Sequence, residues 1–176
     1  MIKNKKISCL LVIANIVYML AITLYKDPFI YNFSMYTNTL KGYITIFLLC
    51  ILLGINFINA TYLLNKKYIL IALLGPIIGC IFPFDLANRN IISNLHEVCA
   101  YISFFSVLFI TYTNINKYKL YDYKKANILE KMFIIVFVLD VLIYLKLFGV
   151  TSIQEFILLS VSLLMHLYIY VKTVNF

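Results

Sequence analysis

The chain has 176 residues, 64% of them hydrophobic and 12% charged, with a formal net charge of +8 and a mean hydropathy of +0.96. That excludes an ordinary water-soluble domain, which has too little interior to hide so much apolar surface. Lipid can solvate apolar outer faces, so the composition predicts one all-α, polytopic membrane domain over residues 1–176.

A spanning helix needs about 20 mainly apolar residues. Six stretches qualify: 7–25, 43–64, 68–84, 95–112, 128–147 and 153–171. The first follows Lys3, Lys5 and Lys6, as a signal peptide would. Its apolar run is too long for that role and no small-residue cleavage site follows, so it is expected to remain as a span. The loop 26–42 contains several aromatics and is expected to fold back over helix ends. Asn15 in the first span, and Asn56 and Asn59 in the second, are mid-span amides suited to interhelical hydrogen bonds. The third span is short and carries Gly75-Pro76 with Gly79, a pattern for close helix approach and a kink.

The third span ends at Phe82-Pro83-Phe84-Asp85. About ten mostly polar residues follow, including Arg89, before His96 and Glu97 open the fourth. His96, Cys99, Ser103 and Ser106 recur at helical spacing and predict a small or polar stripe facing other helices. Asp140 sits within the fifth span and shares a face with Tyr144, while Glu155, Ser162 and His166 share a face of the sixth. The four cysteines fall in apolar runs without C-x-x-C spacing and read as small packing residues. Two histidines exclude a three-histidine zinc site, and His96 and His166 should be roughly 15 Å apart in depth at about 1.5 Å per residue. No metal or other cofactor is expected.

Lysine placement sets the orientation. The first terminus, the loop after span two (Lys66, Lys67), the loop after span four (Lys117, Lys119, Lys124, Lys125) and the last terminus (Lys172) carry most of the positive charge. Positive loops stay in the cytoplasm, so both termini are predicted inside the cell membrane, in a compact bundle of six transmembrane helices. The +8 is then a topology signal with some attraction for anionic lipid, and nucleic acid is not an expected partner. The abundance of Ile, Asn, Lys and Tyr resembles low-GC bacterial proteins. In this orientation Asp27, Asp85, Glu97, Asp140 and Glu155 all fall on the extracytoplasmic side, with Arg89 and His96.

The pattern Gly79-x-x-Phe82-Pro83-x-Asp85, followed ten residues on by His96-x-x-x-Ala100, resembles a bacterial and archaeal family of six-helix membrane proteins of unknown function. That family is akin to the damage-regulated autophagy modulator and Sfk-type proteins. The resemblance covers roughly residues 34–105; it implies a six-span fold and marks Pro83, Asp85 and His96 as positions of interest, with no chemistry attached. Residues 33–49, FSMYTNTLKGYITIFLL, look like the start of span two in androgen-induced membrane hydrolases. That likeness implies Thr37 as nucleophile and His96 as base, although the segment after His96 lacks the family's proline-containing pattern.

Three functions follow as expectations. The first is a non-enzymatic membrane protein whose outer pocket of Asp85, Arg89, His96, Glu97, Asp140 and Glu155 takes a lipid head group, a small ligand or a partner membrane protein, another copy of the chain included. The second is a lipid-ester hydrolase using Thr37 and His96. The third is a proton-coupled carrier with Asp140 and His166 as relay groups, although no inverted repeat is evident. Solvated helix-end groups or a cap also explain Asp85, His96 and Glu97, and a structural hydrogen bond also explains Asp140.

Overall fold

The computed structural model describes residues 4–29, 33, 39–60, 69, 90–147 and 150–174. Among them are five helices: α1 (Lys5–Thr23), α2 (Leu40–Ala60), α3 (Ile91–Tyr118), α4 (Tyr123–Leu147) and α5 (Ser152–Thr173). All but α4 are long and apolar enough to cross a membrane. In α4, Glu130, Lys131 and Asp140 interrupt the apolar run. The all-α architecture of a membrane protein is therefore present, with five helices where six spans are expected. The predicted span 68–84 lies outside the described residues except for Ile69, which is buried in the core.

Local signals explain the helix ends. Asn4 caps α1, its Oδ1 accepting from the Lys6 and Ile7 amides, and Asn90 caps α3 by accepting from Ile92 and Ser93. The Asn90 cap starts α3 four residues before the predicted span, so His96 stands inside the helix and not at its opening. At its other end α3 continues through Thr113 and Asn114 to Tyr118, helical bonds persisting past the apolar run, with the Thr113 hydroxyl donating back to Phe109 O. Asp122 then starts α4, accepting from the Lys125 amide at 3.0 Å.

The packing is that of a bundle in lipid. On α1, Ser8, Val12, Asn15, Met19 and Ile22 are buried at helical spacing, while Leu10, Ile13 and Val17 on the opposite face are exposed. Both faces are largely apolar, so what separates them is the placement of polar and small groups inside, as expected where lipid is the outer solvent. Helix α5 packs against each of the other four; α1 also packs on α2, and α3 on α4.

Interhelical contacts set the directions. Tyr18 donates to Thr45 O at 3.1 Å, and Asn59 Nδ2 donates to Ser8 Oγ at 2.7 Å, so α2 runs antiparallel to α1. Pro28 O, just beyond α1, accepts from the Ile153 amide at the start of α5 at 3.2 Å, which makes α5 antiparallel to α1. Lys119–Glu130, at 2.8 Å, closes the α3–α4 hairpin, and Gln154 reaches Asp140 across the α4–α5 connection, so α3, α4 and α5 alternate in direction. Lys5, Lys6, Lys117, Lys119, Lys124, Lys125 and Lys172 consequently gather at one end of the bundle. Asp27, Glu97 and Glu155 stand at the other, with Asp140 in that half. Helix α2 finishes at the lysine-rich end, whereas α3 begins at the acidic end.

Candidate functional site

The acidic end is organised by the start of α5. Thr151, its N-cap, gives both its amide (2.8 Å) and its hydroxyl (2.9 Å) to Gln154 Oε1. The other end of the Gln154 amide donates to the backbone carbonyl of Asp140 at 3.0 Å. One buried side chain thus ties the first turn of α5 to the middle of α4 and fixes the depth of Asp140. The Asp140 side chain is buried, and its Oδ1 has no hydrogen-bond partner among the described residues.

Glu155, one residue on from Gln154, accepts from the Phe33 amide at 2.6 Å and is close enough to Asp140 for their charges to interact. The buried Phe33 side chain and the Pro28 contacts with Ile153 and Ser152 set Pro28 and Phe33 against the start of α5; residues 30–32 and 34–38 of the loop 26–42, expected to fold back, lie outside the described residues. Two carboxyl groups thus come together where α4, α5 and the Phe33 backbone meet, and one oxygen, Asp140 Oδ1, is unanswered. Taking a carboxylate out of water costs several kcal/mol unless a counter-charge or proton meets it, so the arrangement suits a cationic group.

Asp140 and Glu155 are the predicted site residues that the structure brings together. His96, also buried, and Glu97, half-buried, stand near the start of α3. Thr111 and Asn114 of α3 lie opposite His166, and in that register His96 falls level with the start of α5, outward of Glu155. Asp85, Arg89 and Thr37 lie outside the described residues, as does Pro83. Among the described residues, no group of three or more His, Cys, Asp or Glu is placed to hold a metal ion. Cys9, Cys50 and Cys99 are half-buried and form no disulfide.

The predicted polar stripe on α3 divides. His96 is buried, Cys99 and Ser103 are half-buried with Ser103 donating to Cys99 O, and Ser106 lines an open groove with Tyr101, Phe105 and Phe109. The polar contact of α3 with α5 lies further inward, where His166, marked by the sequence, meets Thr111 and Asn114, which the sequence pattern did not single out. There His166, fully buried, meets Thr111 Oγ1 through Nε2 at 3.2 Å and Asn114 Nδ2 through Nδ1 at 2.7 Å. The Thr111 hydroxyl gives its one proton to Val107 O at 2.8 Å, so it accepts from Nε2–H; Nδ1 is then left to accept from the Asn114 amide. The ring is therefore the neutral Nε2–H tautomer. Phe57 of α2 presents its ring to the imidazole edge-on at 5.3 Å. His96 lies 15 to 18 residues up α3 from this contact, which is about 25 Å at 1.5 Å per residue and more than the spacing expected from the shorter span.

Both mid-span amides of α2 serve α1: Asn59 binds Ser8, and Asn56 Nδ2 donates to Leu11 O at 3.3 Å. Asn15 differs, since neither of its side-chain polar atoms has a partner among the described residues. Compared with known families, curated proteins and solved structures, the chain matches none.

Proposed function

We propose that this is a non-enzymatic, six-span protein of the cell membrane, with both termini cytoplasmic and an extracytoplasmic acidic pocket that holds the cationic part of a ligand. The observation that carries the reading is the Asp140–Glu155 pair: two neighbouring carboxyl groups, one buried with an unanswered oxygen, at the end of the bundle opposite the main lysine cluster, where Lys26, Lys41 and Lys146 are the lysines present. The primary ammonium of a zwitterionic lipid head group fits, because Glu155 stands in the first turn of α5, at the membrane boundary for a helix that spans, with Asp140 about 10 Å inside the end of α4. On this reading Asp85, Arg89, His96 and Glu97 form the outer rim.

The sixth span of this reading is the one expected from sequence at 68–84: α2 ends on the lysine-rich side, α3 starts on the acidic side, and that apolar run lies between them in the chain. The lysine-rich end is the cytoplasmic one by the positive-inside rule.

The test is thermal unfolding of the purified protein in neutral detergent with added phosphatidylethanolamine, phosphatidylglycerol or free ethanolamine. A ligand at about a hundredfold over its Kd stabilises by about 2.7 kcal/mol. Phosphatidylethanolamine should raise the midpoint, and Asp140→Asn with Glu155→Gln should abolish the rise. Equal stabilisation by phosphatidylglycerol, or a rise that survives the double substitution, refutes the reading. A response to free ethanolamine assigns the pocket to soluble amines.

A further inference from the structure

The lysine-rich end holds a second cluster, remote from the carboxyl pair. At its centre is Tyr168, half-buried near the end of α5. The buried ring of Tyr118, the last residue of α3, meets it edge-on at 6.2 Å, and the two hydroxyls come within hydrogen-bonding reach. Lys172 of α5 lies over the Tyr168 ring, its Nζ 6.0 Å from the centroid. Lys125, in the first turn of α4, is near enough to both tyrosines to interact with them electrostatically, and its Nζ pairs with Asp122 at 2.7 Å. Three helix ends thus bring Lys125 and Lys172 to one tyrosine, with Lys124 adjoining in the first turn of α4.

The charges there do not balance. Asp122 takes up Lys125, and Glu130 takes up Lys119 at 2.8 Å. Lys124 and Lys172, both exposed, have no carboxylate partner among the described residues. The first turn of α4 carries two lysines and no acid, the wrong sign for the positive end of a helix dipole. The positive-inside preference accounts for lysines on this side of the bundle. It does not require them in that turn, or gathered at a tyrosine.

An anion seated between α4 and α5 relieves both imbalances. Leu120 in the α3–α4 turn is 88% exposed and Tyr123, the first residue of α4, is 68% exposed. An apolar and an amphipathic side chain so placed suit head-group level and not open water, so the anion is one held in the membrane. Lysine binds phosphate as a point charge. A phosphodiester brings one negative charge. A phosphomonoester brings about −1.5 to −2 at pH 7 and three acceptor oxygens, which matches the two ammonium groups that lack a carboxylate.

We propose that the junction of α3, α4 and α5 at Tyr168 is a binding site for an anionic lipid with a phosphomonoester head group, held by Lys124, Lys125 and Lys172, with Tyr168 positioning Lys172. The site is separate from Asp140 and Glu155 and does not depend on their role.

The full chain in neutral detergent is titrated with phosphatidic acid, phosphatidylglycerol and phosphatidylcholine, and bound lipids are counted by native mass spectrometry. Phosphatidic acid should bind with the lowest Kd, and Lys124→Gln with Lys172→Gln should raise that Kd by on the order of tenfold. Lys6→Gln with Lys131→Gln removes the same charge from exposed positions in the same half of the bundle and should raise it by less than about twofold. An equal effect of the two pairs overturns the proposal, because the attraction is then diffuse; so does phosphatidylglycerol binding as tightly as phosphatidic acid. Glycerol 3-phosphate at matched concentration should not compete, and competition overturns the lipid assignment. Asp140→Asn with Glu155→Gln should leave phosphatidic acid binding unchanged, and a loss there overturns the separation of the two sites.

Discussion

Replacing His166 with leucine keeps much of the side-chain bulk and deletes both ring hydrogen bonds between α5 and α3. Thr111 loses little, since its hydroxyl still donates to Val107 O. Asn114 bears the loss: its Nδ2 joins its Oδ1 as unpartnered at zero exposure. An orphaned buried group costs about 1–3 kcal/mol, and the lost edge contact with Phe57 adds about 0.5–1 kcal/mol. Against this, polar groups of helices separated within the bilayer find other partners, and measured interhelical hydrogen bonds average about 0.6 kcal/mol, up to about 1.7. The expected cost is therefore about 1–2 kcal/mol, read as a shift in the midpoint of reversible unfolding in mixed micelles. Asn114→Leu alone should cost a similar amount. The double variant His166→Leu with Asn114→Leu should cost less than the sum by about 1 kcal/mol, because removing both partners leaves no orphan between them. Additivity within about 0.3 kcal/mol would refute the His166–Asn114 bond as a link between α3 and α5.

Asn59→Leu should loosen α1 from α2 by about 0.6–1.7 kcal/mol, seen as faster amide exchange around Ser8 in α1; an unchanged rate would refute the Asn59–Ser8 contact as a tie between the two helices. Gln154→Ala removes the bridge from Thr151 to the Asp140 carbonyl and should cost about 1–2 kcal/mol in the same unfolding assay; a neutral result would show that the start of α5 is held otherwise. The side chain and amide of Lys125 hold the half-buried Asp122 carboxyl below its ordinary value of 3.8, so its pairing supports the α3–α4 turn above that value and is lost as pH falls through the lowered one. Asp122→Asn should abolish this acid-side loosening, measured by amide exchange at Lys125. Tyr121→Cys, exposed in that turn, should react with a membrane-impermeant maleimide only after cells are opened; reaction in intact cells would invert the topology.

The helical character and the charge sidedness were legible in the sequence because each rests on many residues. Apolar run length reports spans, and lysines cluster by loop. The ends of α3 were less legible. Asn90 is a strong cap but sits in a polar stretch where several residues qualify, and Thr113 and Asn114 look like a helix end until their bonds are seen. Those extra turns carry Asn114 into the bundle, so the His166 contact was hidden behind a span drawn too short. A Thr-x-x-Asn spacing at 111 and 114, set against the Ser162–His166 face, was the available signal. The nearness of Asp140 to Glu155 was partly legible, since both are acids on one side, but the Gln154 bridge that sets their relative depth needs backbone coordinates. Cys99 and Ser103 show the limit of face arithmetic: small residues at helical spacing mark an inner face only when a neighbour occupies it.

Because α5 touches every other described helix while following them in the chain, biogenesis has a definite bottleneck. The four described helices that precede it leave the ribosome without the partner that joins the α1–α2 and α3–α4 pairs. Until α5 inserts, those pairs are half-built assemblies in the bilayer with Asn15, Asn114 and Asp140 facing lipid. Such intermediates are natural targets for membrane proteases and insertion chaperones, so a lesion in α5 should lower abundance in the cell more than an equally destabilising one in α1.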